Sequence, residues 1–162
     1  MTNDIVEKFT PFYGGVFSQW YACDLLINGI AYNCAEQYMM AQKARLFGDH
    51  TRLDAIMATS DPSEQKALGK KVQGFDVEVW ESVARDVVMR ANLSKFADNP
   101  KLRAQLLRTE GTTLVEASPT DRIWGVGLYE NDPRVHFRNQ WQGRNWLGQV
   151  LTDLRGSLQV IS

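Results

Sequence analysis

Leu25-Leu26-Ile27-Asn28-Gly29-Ile30-Ala31-Tyr32, followed after Asn33 and Cys34 by Ala35-Glu36-Gln37-Tyr38-Met39-Met40-Ala41-Gln42-Lys43-Ala44-Arg45-Leu46-Phe47, sets two kinds of local structure side by side. In the first segment Asn-Gly separates two apolar runs, the strongest short-range signal for a β-hairpin. The second is built of helix formers. Asn33 stands before it with Glu36 three residues on, the pattern of a capping box, and Gly48 lies just past its end, so a helix is expected over Ala35–Phe47.

Working outward, Asp61-Pro62 reads as the start of a second helix, with proline in the first turn. A third begins near Asp76 and carries Val79, Trp80, Val83, Val87, Val88 and Ala91 at helical spacing, which marks it as the core helix. Pro100 opens a shorter helix through Leu107, closed by Gly111. Thr112 to Ala117 and Ile123 to Leu128 read as strands around a Ser118-Pro119-Thr120-Asp121 turn. A last helix from about Asn145 aligns Leu147, Val150, Leu151, Leu154 and Leu158. An aromatic opening, Phe9 to Phe17, precedes the hairpin, and Tyr129 to Gly143 reads as a long polar loop. Strands and helices are interspersed without regular alternation, so the expected fold is α+β, a helix-rich single domain over residues 1–162 with a small β-sheet.

Composition narrows the function. At 162 residues, 44% hydrophobic and 23% charged, the chain has the make-up of one globular domain. No apolar run approaches the roughly 20 residues that span a bilayer. Met1-Thr2-Asn3-Asp4-Ile5-Val6-Glu7 has neither a basic patch nor an apolar core, so no secretion signal is expected and the protein is expected in the cytoplasm. Cys23 and Cys34, the only cysteines, flank the hairpin and are expected as free thiols. His50 and His136 are far apart and lack cysteine neighbours, so no metal site is expected. A net charge of −1 argues against a chain-wide grip on nucleic acid.

Three places carry candidate chemistry. Glu36 and Lys43 are seven residues apart, on one face of a helix and about 10 Å apart along its backbone, so an acid and an amine can face one pocket. The competing assignments are a capping role for Glu36 and a solvated face for Lys43. Asp121 precedes Trp124, Gly125 and Gly127, where glycine lets backbone approach a ligand, although Asp is also a common turn residue. Gly143-Arg144-Asn145-Trp146-Leu147-Gly148 opens the last helix, whose N-terminus attracts anions, and Asn145 is a candidate phosphate contact or N-cap. Trp20, Trp80, Trp124, Trp141 and Trp146 offer faces on which a heterocycle could stack.

These segments in order resemble the NADAR family of YbiA-like N-glycosidases. The resemblance rests on Phe17-Ser18 with Trp20, Ala35-Glu36-Gln37-Tyr38 through Gln42-Lys43-Ala44, Asp61-Pro62 with Lys66 and Gly69, Trp80 with Met89, and Lys95-Phe96. It continues through Asp121 with Trp124-Gly125 and Gly127, and Asn145 with Leu147-Gly148, so it spans about residues 9 to 158. Where the family has Asn after Phe-Ser, this chain has Gln19, which alters a polar contact near the hairpin. The loop near Asn131-Asp132-Pro133 is longer than in the short members and leaves the substrate open.

The resemblance implies a cofactor-free hydrolase that cuts ribose from the exocyclic amine of a guanine-like base. Two substrates are implied: ADP-ribosylated guanine in DNA, and ribosylamino-pyrimidine phosphates of the riboflavin pathway. Glu36 would donate and accept the proton, Lys43 would act as nucleophile or sugar contact, and Asp121 would orient sugar or water. Substrate contacts are implied for Phe17, Ser18, Trp20, Trp80, Trp124, Gly125 and Asn145, with Trp124 stacking on the base and Asn145 holding phosphate. The partner is then a nucleotide-like small molecule or modified DNA, with no membrane and no obligate protein partner. A non-catalytic ADP-ribose or nucleotide-binding module is the alternative, and a structural or interaction domain a third reading.

Overall fold

The computed structural model describes residues 6–161; Met1 to Ile5 of the stretch read above for a secretion signal, and Ser162, lie outside them. The chain is α+β and forms two compact units, one of residues 19–100 and one that joins the N-terminal 18 residues to residues 101–162.

In the 19–100 unit, β2 (Leu25–Ile27) and β3 (Ile30–Tyr32) pair antiparallel as the expected hairpin. Asn28 and Gly29 sit at φ 52° and 78°, the positive values that a tight hairpin turn demands and that Gly adopts without strain. The unit continues with α1 (Ala35–Leu46), α2 (His50–Ala58), α3 (Pro62–Gly69) and α4 (Val77–Ala97).

Two expectations change here. Cys34, not Asn33, is the N-cap of α1, and it makes no side-chain cap bond. Asn33 is held elsewhere: its Nδ2 donates to the Ser60 carbonyl at 2.8 Å and its Oδ1 accepts from Gln65 Nε2 at 3.1 Å. Helix α2 was not read from the sequence. Gly48 does end α1, at φ 69°, but Asp49 restarts helix at once, with Oδ1 accepting from Arg52 N–H and Oδ2 from Gln73 N–H. Helix α3 begins as expected, Asp61 capping at Ser63 N–H with Pro62 in the first turn.

Helix α4 starts at the Asp76 cap, but the helix at the centre of this unit is α1, which packs against α2, α3 and α4, while α4 buries one stripe. Its buried stripe runs through Trp80, Ala84, Val88, Ala91, Asn92, Lys95 and Phe96, while Val79 faces solvent. The stripe therefore begins apolar and ends with two polar side chains inside the protein.

In the other unit, β1 (Phe9–Phe12) pairs in parallel with β4 (Thr113–Glu116), in register Phe9 with Thr113 and Phe12 with Glu116. Helix α5 (Pro100–Leu107) leads into β4, and α6 (Trp146–Ile161) covers it, burying Leu147, Val150, Leu151, Leu154 and Leu158 as its spacing predicts. Ile123 to Leu128 is not a strand. The carbonyls of Ile123, Trp124 and Gly125 instead accept from the N–H groups of Trp146, Leu147 and Asn145, each at 3.1 Å, and so supply the N–H partners that the start of α6 lacks. Val115, Ala117, Val126, Leu128 and Val135 form the core beneath, with Phe9 and Trp141 packed on it. Within the polar loop two short 3-10 turns, Pro133–His136 and Arg138–Gln140, form. Among the described residues no helix is long and apolar enough to cross a membrane.

Candidate functional site

Helix α1 is buried almost all round, at Ala35 through Ala41 and again at Ala44. A helix so enclosed must satisfy its polar side chains internally. Gln37 does so completely: its Oε1 accepts from Asn33 N–H at 2.8 Å, and its Nε2 donates to the carbonyls of Ile56 and Thr59. Asn33 N–H is the donor that a capping box would have given to Glu36, so Glu36 is released from the capping role. Its carboxylate is 6% exposed and lies in the first turn of α1, where the helix dipole favours negative charge.

Two turns further on, Lys43 is half-buried, with Nζ 4.4 Å from the centre of the Phe75 ring. Burial pulls its pKa below the ordinary lysine value; Glu36 opposes that fall and Lys70 adds to it. Glu36 and Lys43 therefore sense one another's charge, as their spacing predicts, and the amine yields its proton more readily than a solvated lysine does. A shallow open cavity of about 360 Å³ lies beside α1, with Tyr32, Asn33, Gln37, Thr59 and Ser60 in its lining.

A second polar group in this unit joins Gln19, noted above for a polar contact near the hairpin, with Asn92 and Lys95, which the sequence does not single out as site residues. Gln19 joins α1 to α4: its carbonyl accepts from Glu36 N–H at 3.0 Å, and its Oε1 accepts from Asn92 Nδ2 at 2.9 Å. Lys95, one turn beyond Asn92, is 1% exposed, with Nζ between the rings of Tyr21 and Phe96 at 5.3 and 5.1 Å. The signal was present, since Asn92 and Lys95 continue the apolar spacing of Val88 and Ala91. Burial lowers the Lys95 pKa to about 8, against the partial support of Cys23 and Cys34, while burial raises Cys34 to about 11.

These two groups give stability a pH signature. Below pH 8 Lys95 is charged in both states and the folded protein bears its burial in full. Between pH 8 and 9 the folded state releases that proton while the unfolded chain, titrating near 10.5, keeps it, so stability rises by about 1 kcal/mol. From pH 9 the unfolded Cys34 thiol ionises while the folded one does not, which removes stability over the range in which Lys95 goes on adding it, so the two nearly offset and the rise levels off. Urea unfolding of Lys95→Met should show no rise between pH 8 and 9; a rise equal to the parent's would put its origin elsewhere.

The remaining candidates divide. Trp20 is 44% exposed and presents an aromatic face, whereas Trp80 is buried in the α4 stripe and offers none to a ligand. Phe17, in a 3-10 turn over Gly15–Phe17, packs edge-on against Phe12, and Ser18 ends that turn with its N–H on the Gly15 carbonyl. Asp121 Oδ1 accepts from the N–H groups of Ile123 and Trp124 at 2.9 and 2.8 Å, a turn-forming role. Trp124 stands edge-on to Trp146 at 5.6 Å. Gly125 is close to protein backbone: a Cβ there would lie 2.9 Å from the Asp121 carbonyl and 3.0 Å from that of Glu116. Asn145 is buried, accepting from Glu116 N–H and donating to the Leu114 carbonyl, so its amide fastens α6 to β4 and is not available to a phosphate. Among the described residues no cluster of His, Cys, Asp or Glu could hold a metal ion.

The structure of YbiA from Escherichia coli, determined by NMR, matches this fold with a TM-score of 0.78 at 29% identity, covering 98% of this chain and 91% of that one. The N-glycosidase R617 of Acanthamoeba polyphaga mimivirus is 40% identical over 92% of this chain and 95% of its own. A riboflavin biosynthesis protein of Vibrio vulnificus is 28% identical over 97% of this chain, which spans 40% of that longer protein. Fold and relatives together place the chain in a class of α+β N-glycosidases. The NADAR domain model matches residues 9–159, and the chain belongs to that family.

Proposed function

We propose that this N-glycosidase cleaves the bond between the anomeric carbon of a ribose and the exocyclic amine of a guanine-like base, the ribose carrying phosphate or forming part of ADP-ribose. The observation that carries this reading is the pairing of Glu36, a buried carboxylate without a capping duty, with the half-buried amine of Lys43 on one helix face. An exocyclic amine leaves only when it takes up a proton, and the carbon it leaves builds positive charge. Glu36 supplies the proton to the departing nitrogen. Lys43 Nζ, as the neutral amine, then bonds to the anomeric carbon; water attacks that carbon and gives a proton to the Glu36 carboxylate, the carbon–Nζ bond breaks to return the neutral amine, and ribose and enzyme separate. The names of the relatives support the bond type, N-glycosidase, and, for the Vibrio protein, a riboflavin-related substrate. Both cysteines are free thiols, the state that a reducing cytoplasm maintains.

Incubation with ADP-ribosylated guanine DNA and, separately, with a ribosylamino-pyrimidine phosphate, followed by mass spectrometry, should show release of base from one of them. Tight ADP-ribose binding with release from neither would make the chain a reader of this nucleotide.

A further inference from the structure

Lys70 follows the last residue of α3, and the packing of α3 on α1 sets it near Lys43. The backbone of Gly69 runs so close to α1 that a Cβ there would lie 1.9 Å from Met40 Sδ, and Met40 precedes Lys43 by about one helical turn. The segment that follows is tied down at three points. Val72 is buried, Gln73 N–H donates to Asp49 Oδ2 at 2.8 Å, and Gly74 turns at φ 77° against the Phe47 carbonyl. Phe75 then packs edge-on against Phe47, ring centres 5.4 Å apart, with Lys43 Nζ over its face. A segment held this firmly fixes what it presents at the surface: the exposed Lys70, and a Phe75 ring that is 44% exposed beside the Lys43 amine.

Two amines brought together in this way repel one another. Burial lowers the Lys43 pKa first, and of the three exposed lysines at this end of α3, Lys66, Lys70 and Lys71, it is Lys70 that adds to the fall. Among the described residues neither Lys43 nor Lys70 is in an ion pair. Nor is Lys70 drawn to the end of its own helix, where the carbonyls of Lys66, Leu68 and Gly69 already accept from the N–H groups of Lys70, Lys71 and Val72. An anion is therefore the partner this place lacks, and it is reached from solvent. Its kind follows from Lys43. That amine is placed at the anomeric carbon, and the phosphate is carried at the far end of the same small sugar.

Resting on the reading of the substrate as a ribose that carries phosphate, we propose that Lys70 binds the phosphate on the ribose 5′ oxygen, with the exposed Phe75 ring walling the sugar at Lys43. The Lys70 ammonium donates to the phosphate oxygens while Lys43 acts at the anomeric carbon. Lys70 then sets how the sugar lies and selects phosphorylated ribose over a bare nucleoside.

The test is titration calorimetry of the whole protein with ribose 5-phosphate and, separately, with ADP-ribose. Lys70→Gln should weaken binding by at least about tenfold, the worth of a charged hydrogen bond, and leave the melting midpoint in place because the residue lies at the surface. A loss with both probes supports the shared 5′-phosphate as the ligand; a loss with one alone assigns the lysine to a monoester or to a diphosphate. Lys70→Arg keeps the charge and should bind within about threefold of the parent. Lys71→Gln removes the same charge one residue away and should bind as the parent does. Without Lys70 the Lys43 amine holds its proton more firmly, which by itself would strengthen anion binding, so the loss does not arise through Lys43. Equal binding by the parent and Lys70→Gln, an equal loss in Lys71→Gln, or binding of neither probe would overturn the subsite. Because binding is read, a protein that shows the loss yet releases no base loses the glycosidase reading alone. One that releases base while Lys70→Gln binds as the parent does loses the subsite alone.

Discussion

Glu36→Gln should lower the single-turnover rate by about a hundredfold or more, the usual worth of a positioned general acid or base, and leave substrate binding in place. Were Glu36 a capping residue, glutamine would keep the same cap bond, and the change would spare both stability and rate. In the structure it is Gln37, not Glu36, that accepts from the Asn33 N–H. Glutamine has the size of the carboxylate it replaces, so the fold should stand. A fall in rate with an unchanged midpoint assigns Glu36 to the chemistry, and a full rate would end that assignment.

The elements that were legible in the sequence are those whose signals are local. Asn28-Gly29 sets its own turn, Asp61-Pro62 and Asp76 set their own helix starts, and the leucines of α6 repeat at helical spacing. Where pairing spans the chain the signal fades. Strand β1 has four residues with Pro11 among them, a residue without a backbone donor, and although Thr112 to Ala117 reads as a strand, its pairing with β1 is seen only in the fold. Ile123 to Leu128 has strand composition, yet the exposed N–H groups at the start of α6 compete for its carbonyls and win. Asn145 shows the same competition: a polar residue before a helix reads as a cap or anion contact, but a φ of 54° and the proximity of β4 turn its amide inward.

At the candidate site the legible part was again periodic. Glu36 and Lys43 share a face because seven residues are nearly two helical turns, and no fold is needed to know it. What periodicity cannot supply is how much water reaches each group. Lys43 and Lys95 both lie on helices with apolar neighbours, but Lys95 is enclosed and Lys43 is half open, so only the second can meet a substrate without the protein unfolding around it. For the nucleophile that difference outweighs the lower pKa of Lys95.

Lys43 is therefore where a covalent trace should be found. If the ribose ring opens and Nζ bonds to the anomeric carbon, the intermediate passes through an imine, and hydride from borohydride adds to its carbon to leave a stable secondary amine. The protein then gains the mass of the reduced sugar phosphate or reduced ADP-ribose, and peptide sequencing should place it at Lys43. Burial, with the Lys70 charge, holds the Lys43 ammonium below the ordinary lysine pKa and so favours the neutral amine this requires. Because Glu36 acts in the opposite sense on Lys43, Glu36→Gln should lower the Lys43 pKa further and shift adduct formation to lower pH, even as turnover falls. Lys43→Ala should abolish the adduct altogether. An adduct mapped to another residue would move the nucleophile while keeping the imine chemistry; no adduct in a sample that is turning over would reduce Lys43 to a sugar contact, and Lys43→Ala should then retain a weaker, measurable rate.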